Sequence, residues 1–170
     1  MIFDVLKQRW LRKEFRNLEN SSRDHQQCWP KSLVIIFDAD RWIDLTIFEE
    51  WCQKLNIPFN CLTLVAFTRD VKKKAIEGVT LFDNHSIRWA GGLKDPKLSA
   101  ILGKKYDLQI NYLDKPSKVI KYVMMKMDSN LKVGYASHEE ITYDLAVNVP
   151  LTKQELFISE IAKYLKIFNP

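Results

Sequence analysis

From Ser32 to Asp40 the chain reads Ser-Leu-Val-Ile-Ile-Phe-Asp-Ala-Asp, an unbroken run of bulky apolar side chains that stops on two carboxylates. Such a strand, apolar at odd and even positions alike, must be covered on both faces. That condition is met inside a parallel sheet with helices packed on each side. The carboxyl end of such a strand is where open α/β sheets place ligands, which makes Asp38 and Asp40 candidate site residues.

The chain after it alternates between helical and extended patterns. Asp44 stands where it can cap a helix whose apolar positions Ile47, Phe48, Trp51, Cys52 and Leu55 follow the helical period; Asn56 and Pro58 end it. Phe59 to Phe67 is a second apolar run, closing on Thr68-Arg69-Asp70. Lys72-Lys73-Lys74 reads as a solvated charge run and Thr80-Leu81-Phe82 as a short strand. Gly91-Gly92 lacks the spacing of either standard phosphate-binding fingerprint and reads as a turn, with Trp89 as a lid over the core.

Leu98 to Lys104 reads as a short helix and Tyr106 to Leu113 as a strand. Asp114 then caps a helix beginning near Pro116, with Val119, Ile120, Val123, Met124 and Met127 facing inward. Leu131 to Tyr135 and Tyr143 to Val149 read as strands, and Thr152-Lys153-Gln154-Glu155 as a capping box opening a terminal helix. Strands alternating with helices predict a three-layer α/β sandwich with a mostly parallel sheet, one domain over residues 32–170.

Residues 1–31 read differently, as an amphipathic basic helix and a polar linker. Ile2 to Asn20 is free of proline; at ~100° per residue Arg9, Arg12 and Arg16 share one face, while Phe3, Leu6, Trp10, Leu11 and Leu18 spread over the other. An arginine stripe opposite bulky apolar residues suits RNA phosphate on a ribosome or an anionic membrane surface. The same pattern serves a helix docked on its own domain, and Glu14 and Glu19 dilute the charge. The net charge of +5 permits an anionic partner without naming one. Cys28, Cys52 and Cys61 lack Cys-x-x-Cys spacing, and His25, His85 and His138 lie far apart, so no metal site is expected from them. No apolar stretch approaches the ~20 residues that span a bilayer, and no signal-peptide pattern opens the chain, so a cytoplasmic protein is expected, peripheral to an assembly or inner membrane at most.

Two resemblances follow from these segments. The order LVIIFDAD, RWAGGLKDP, YDLQINYLDKPSKVIKYVMMKMDSNLKVGY and YDLAVNV behind a basic amino-terminal helix resembles a family of short, uncharacterised α/β proteins of the Bacteroidetes. That resemblance implies a cytoplasmic α/β protein and brings no catalytic residues with it. Tyr106 to Tyr135 is also similar to the amino-terminal half of heptosyltransferase-type glycosyltransferases, a fold-level analogy only.

For enzyme chemistry the sharpest expectation is haloacid-dehalogenase-like phosphoryl transfer. Asp38 and Asp40 resemble that family's first motif, in which one carboxylate attacks phosphorus and the second handles the proton, and Thr68 resembles its phosphate-holding second motif. That chemistry implies Mg2+. The pattern departs at Trp42, where the family has Thr or Val, and no acid pair follows a later strand; His138-Glu139-Glu140 is the nearest substitute. The alternative assigns Asp38 and Asp40 to a solvated turn and Thr68 to a strand end. The sequence therefore favours a non-enzymatic binding or accessory domain without a cofactor. Its contacts to an anionic assembly or protein partner would run through Arg9, Arg12, Arg16 and Trp10, with the Mg2+-dependent phosphatase as runner-up.

Overall fold

The computed structural model describes residues 28–41, 44–88, 91–138 and 141–168. Among these, six strands form one sheet: β1 (Leu33–Asp38), β2 (Leu62–Phe67), β3 (Val79–Phe82), β4 (Lys105–Tyr112), β5 (Asp128–Tyr135) and β6 (Leu145–Val147). Their spatial order is β3-β2-β1-β4-β5-β6, and each neighbouring pair is parallel. The sheet is thus wholly parallel, and the apolar run that led to this expectation lies at its centre. Leu33 to Phe37 have no exposure at all, because β2 and β4 flank β1 and helices cover both faces.

Among the described residues four α-helices make the two outer layers. On one face lie α1 (Thr46–Lys54) and α4 (Gln154–Phe168), which pack Phe48, Trp51, Phe157 and Ile161 against Leu33, Ile35 and Phe37. On the other lie α2 (Pro96–Leu102) and α3 (Lys118–Lys126), with Leu98, Val119 and Val123 against Val34 and Ile36. The two-residue period of β1 divides its side chains between these clusters.

Local hydrogen bonds set several element ends. The N-cap of α1 is Leu45, without a side-chain cap, so Asp44 does not cap the helix as its position suggested; it accepts from the backbone and hydroxyl of Thr46 (3.0 and 2.6 Å) from one residue further out, and Asn56 follows the helix end with φ +54°. Asp95 caps α2 through the Lys97 N–H, with Pro96 at the first helical position. Two further details differ. Ser117, not Asp114, is the N-cap of α3, which leaves the Asp114 carboxylate for another partner. The terminal helix begins at Gln154, after a turn closed by the Lys153 N–H on the Pro150 carbonyl, one residue later than a box capped by Thr152 would start it.

Trp29 and Lys31 are held by this body. The Trp29 indole donates to the Leu55 carbonyl at 2.8 Å, and Asp107 accepts from the backbone of Lys31 and Ser32. Arg9, Trp10, Arg12 and Arg16, with the helix expected to carry them, lie outside the described residues, as do Trp42, Trp89, Glu139 and Glu140.

Candidate functional site

The strand order reverses between β1 and β4, and in sheets of this order the crevice outside the carboxyl ends of those strands is the usual ligand position. Here the turn after β1 carries no glycine. Asp38 instead accepts the Asp40 N–H at 2.9 Å and closes the turn upon itself. Next to it the Arg41 guanidinium donates to Asp114, beyond the end of β4, at 3.1 Å. This pair spans the switch point. Both side chains are about half exposed, so its energy is small, but its position lies across the mouth of the crevice.

Asp40 turns the other way, toward β2. Its carboxylate accepts from the Thr68 hydroxyl (2.8 Å), the Arg69 N–H (2.9 Å) and the Lys74 ammonium (3.1 Å). Lys74 also donates to the Ala39 carbonyl. Partial burial acts to raise the Asp40 pKa, yet the Arg69, Thr68 and Lys74 donors outweigh it and hold the carboxyl below its ordinary range. Lys74 is therefore part of a clasp and departs from the solvated run that the pattern suggested, whereas Lys72 and Lys73 are exposed, Lys73 pairing with Asp70 at the surface.

These facts bear directly on the phosphoryl-transfer resemblance. The topology does bring Asp38 and Thr68 to the ends of adjacent strands, with Asp38 in register with Phe67. The hydrogen bonds then commit the parts to one another. Thr68 is only 2% exposed, and its single hydroxyl proton is donated to Asp40. Asp114 is the acid at the end of β4 that sequence reasoning assigned to a cap, and Arg41 takes it up. Among the described residues no group of three His, Cys, Asp or Glu side chains is gathered to hold a metal ion.

A second constellation lies at the carboxyl ends of β4 and β5. His138 is 6% exposed; its Nε2 lies 2.8 Å from the Leu113 carbonyl and its Nδ1 2.6 Å from the Tyr143 hydroxyl. A carbonyl only accepts, so Nε2 carries the proton and Nδ1 accepts from the phenol. Burial lowers the pKa of His138, against the opposing pull of the backbone at Leu113 and Asp114. Tyr143 lies flat on the strand: a Cβ added at Gly134 would fall 2.1 Å from its ring, so that position accepts only glycine. His138 is thus a structural staple, joining the loop after β5 to the end of β4.

The molecule is a doubly wound, all-parallel α/β domain whose switch-point side chains hold one another. No helix among the described residues is long and apolar enough to cross a membrane. The chain belongs to the "Family of unknown function (DUF6913)", whose model matches residues 6–168. No curated protein and no solved structure matches it.

Proposed function

We propose that this protein is a non-enzymatic binding or accessory module that engages an anionic assembly or a protein partner through residues 1–31. Arg9, Arg12, Arg16 and Trp10 form the contact, on ribosomal RNA or on a membrane surface of the cytoplasm. The observation that supports it is the mutual commitment of the switch-point residues. Thr68, Arg69 N–H and Lys74 serve Asp40, and Arg41 serves Asp114, where a catalytic crevice needs those groups for a substrate. With the crevice residues occupied, the arginine stripe is the feature best suited to a large anionic partner.

Because Trp29, Lys31 and Ser32 are anchored to the body, the test neutralises the stripe in place of deleting it. Native extracts are fractionated at low and high salt with the wild type and an Arg9→Ala/Arg12→Ala/Arg16→Ala variant. Co-sedimentation of the wild type with ribosomes or membranes, released by salt and absent in the variant, is the expected result and identifies the partner. If both proteins stay unassociated at low salt, the proposal is wrong.

The second reading, a Mg2+-dependent phosphatase using Asp38, Asp40 and Thr68, draws support from one observation: Asp38 and Thr68 stand on adjacent strand ends. Calorimetric titration with Mg2+ tests it. Binding weakened by Asp38→Asn would favour this reading, and a metal-blind protein would remove it.

A further inference from the structure

Beside the Asp40 clasp, above the carboxyl ends of β2 and β3, the loops leave an open cleft of about 870 Å3. That volume is within the range of small-molecule sites, and its position is the carboxyl edge where parallel sheets receive ligands. Three cations line it: Arg69 and Lys72 from the loop after β2, and Lys94 from the segment before α2. Val71 and Leu81, each half-buried, supply its apolar surface.

The acids of the cleft form no direct ion pair with those cations, although, beside the Lys72 N–H, the Lys72 ammonium is near enough to Asp70 to help lower its pKa. Asp70 accepts the Lys72 N–H at 3.0 Å and the Lys73 ammonium at 3.3 Å. Asp83, buried beneath the loop, accepts the His85 N–H at 2.8 Å and the Ser86 hydroxyl at 3.1 Å. Asp95 is engaged in capping α2. Among the described residues, no acid lies within ion-pair distance of Arg69, Lys72 or Lys94. The carboxylates are thus turned to loop construction, while the guanidinium and two ammonium groups keep their donors for a ligand.

We propose that this cleft binds a phosphorylated small molecule, its phosphate held by Arg69, Lys72 and Lys94 and its less polar body resting on Val71 and Leu81. A guanidinium offers phosphate a planar pair of donors, and lysines add point charge. The site uses no residue of the amino-terminal stripe, so it stands or falls apart from the function proposed above.

The test is calorimetric titration of the full chain with inorganic pyrophosphate and with adenosine 5′-diphosphate. Saturable one-site binding is expected, tighter for the nucleotide, and weakened at least about tenfold in Arg69→Ala/Lys94→Ala. A Lys126→Ala/Lys166→Ala variant removes the same charge from α3 and α4 and is expected to bind as the wild type does. The Arg9→Ala/Arg12→Ala/Arg16→Ala variant is likewise expected to bind normally. Arg69 and Lys94 are exposed and the Asp40 clasp uses only the Arg69 backbone, so the variants are expected to melt with the wild type. Absence of saturable binding, equal affinity for the two probes, or equal weakening in the remote lysine variant would overturn the proposal.

Discussion

The two faces of the sheet are both buried, yet they are filled by different chemistry. Beneath α1 and α4 the filling is aromatic: Trp51 meets Tyr112 edge-on at 4.9 Å between ring centroids, and Tyr135 stacks on Phe157 at 4.6 Å. Beneath α3 a polar ladder joins β4, β5 and the helix. Ser129 donates to Gln109 at 2.9 Å, and Gln109 donates to Asn111 and to the Met124 carbonyl at 2.8 Å each. Lys132, only 5% exposed, donates to the Met124 and Met125 carbonyls at 3.3 and 3.0 Å, where the helix end favours a cation. Aromatic packing is strong but tolerant of small shifts, whereas hydrogen bonds in a low dielectric tie one register to one helix position. The aromatic rings thus add edge and stacking contacts to one face, and the polar ladder ties β4, β5 and α3 to one register on the other.

The comparison breaks first at the aromatic face. Trp51→Ala removes a side chain 2% exposed at the centre of the ring cluster and is expected to cost about 3–5 kcal/mol, read as a lower urea midpoint. Gln109→Leu keeps the volume but strands the Ser129 hydroxyl and the Asn111 side-chain carbonyl, leaving the Met124 carbonyl to Lys132 alone, at about 1–3 kcal/mol for a stranded buried group. If Gln109→Leu proved neutral while Trp51→Ala did not, the polar ladder would add nothing to stability and its role would be specificity alone.

A smaller effect is expected at His138. Its folded pKa lies below the unfolded value near 6.5, so the unfolded chain binds the proton more readily. Its contribution is complete above about pH 6.5 and lost as the pH falls toward the folded pKa. The melting temperature of the wild type should therefore drop between pH 7.5 and 5.5 more than that of His138→Gln; parallel curves would show that the staple does not titrate in that window. The smallest effect belongs to Arg41→Ala. With both partners half exposed it should cost under about 1 kcal/mol in chemical denaturation, and a larger loss would mean the switch point is a structural hinge.

Much of the architecture was legible from short-range pattern. The central strand is apolar on both faces because both faces are covered, and Asp44 and Asn56 mark a helix start and a helix end that depend only on neighbours. The candidate site was legible only in part. Asp38, Asp40 and Thr68 could be picked out as residues at the ends of apolar runs, but their bonds could not. Asp40 meets Lys74 across 34 residues, and Arg41 meets Asp114 across 73. Those contacts follow from β1 lying between β2 and β4, an order that no local period encodes. In β4, the alternation Leu108-Gln109-Ile110-Asn111-Tyr112 is the pattern of a half-solvated strand, yet both Gln109 and Asn111 are wholly buried. Their hydrogen-bond partners lie on β5 and α3, which only the assembled sheet supplies.

By itself the sequence determined the layers: a fully apolar central strand requires cover on both sides, and the alternation of periods two and 3.6 places helices between strands. The tertiary structure alone decided how the ionisable groups are spent. Strand order put Arg41 against Asp114 and Lys74 against Asp40, and left Arg69, Lys72 and Lys94 around an open cleft. The physical reason is range. Hydrophobic periodicity and capping act over a few residues, whereas a charge finds its partner by distance in space, and that distance is set only when the sheet has closed.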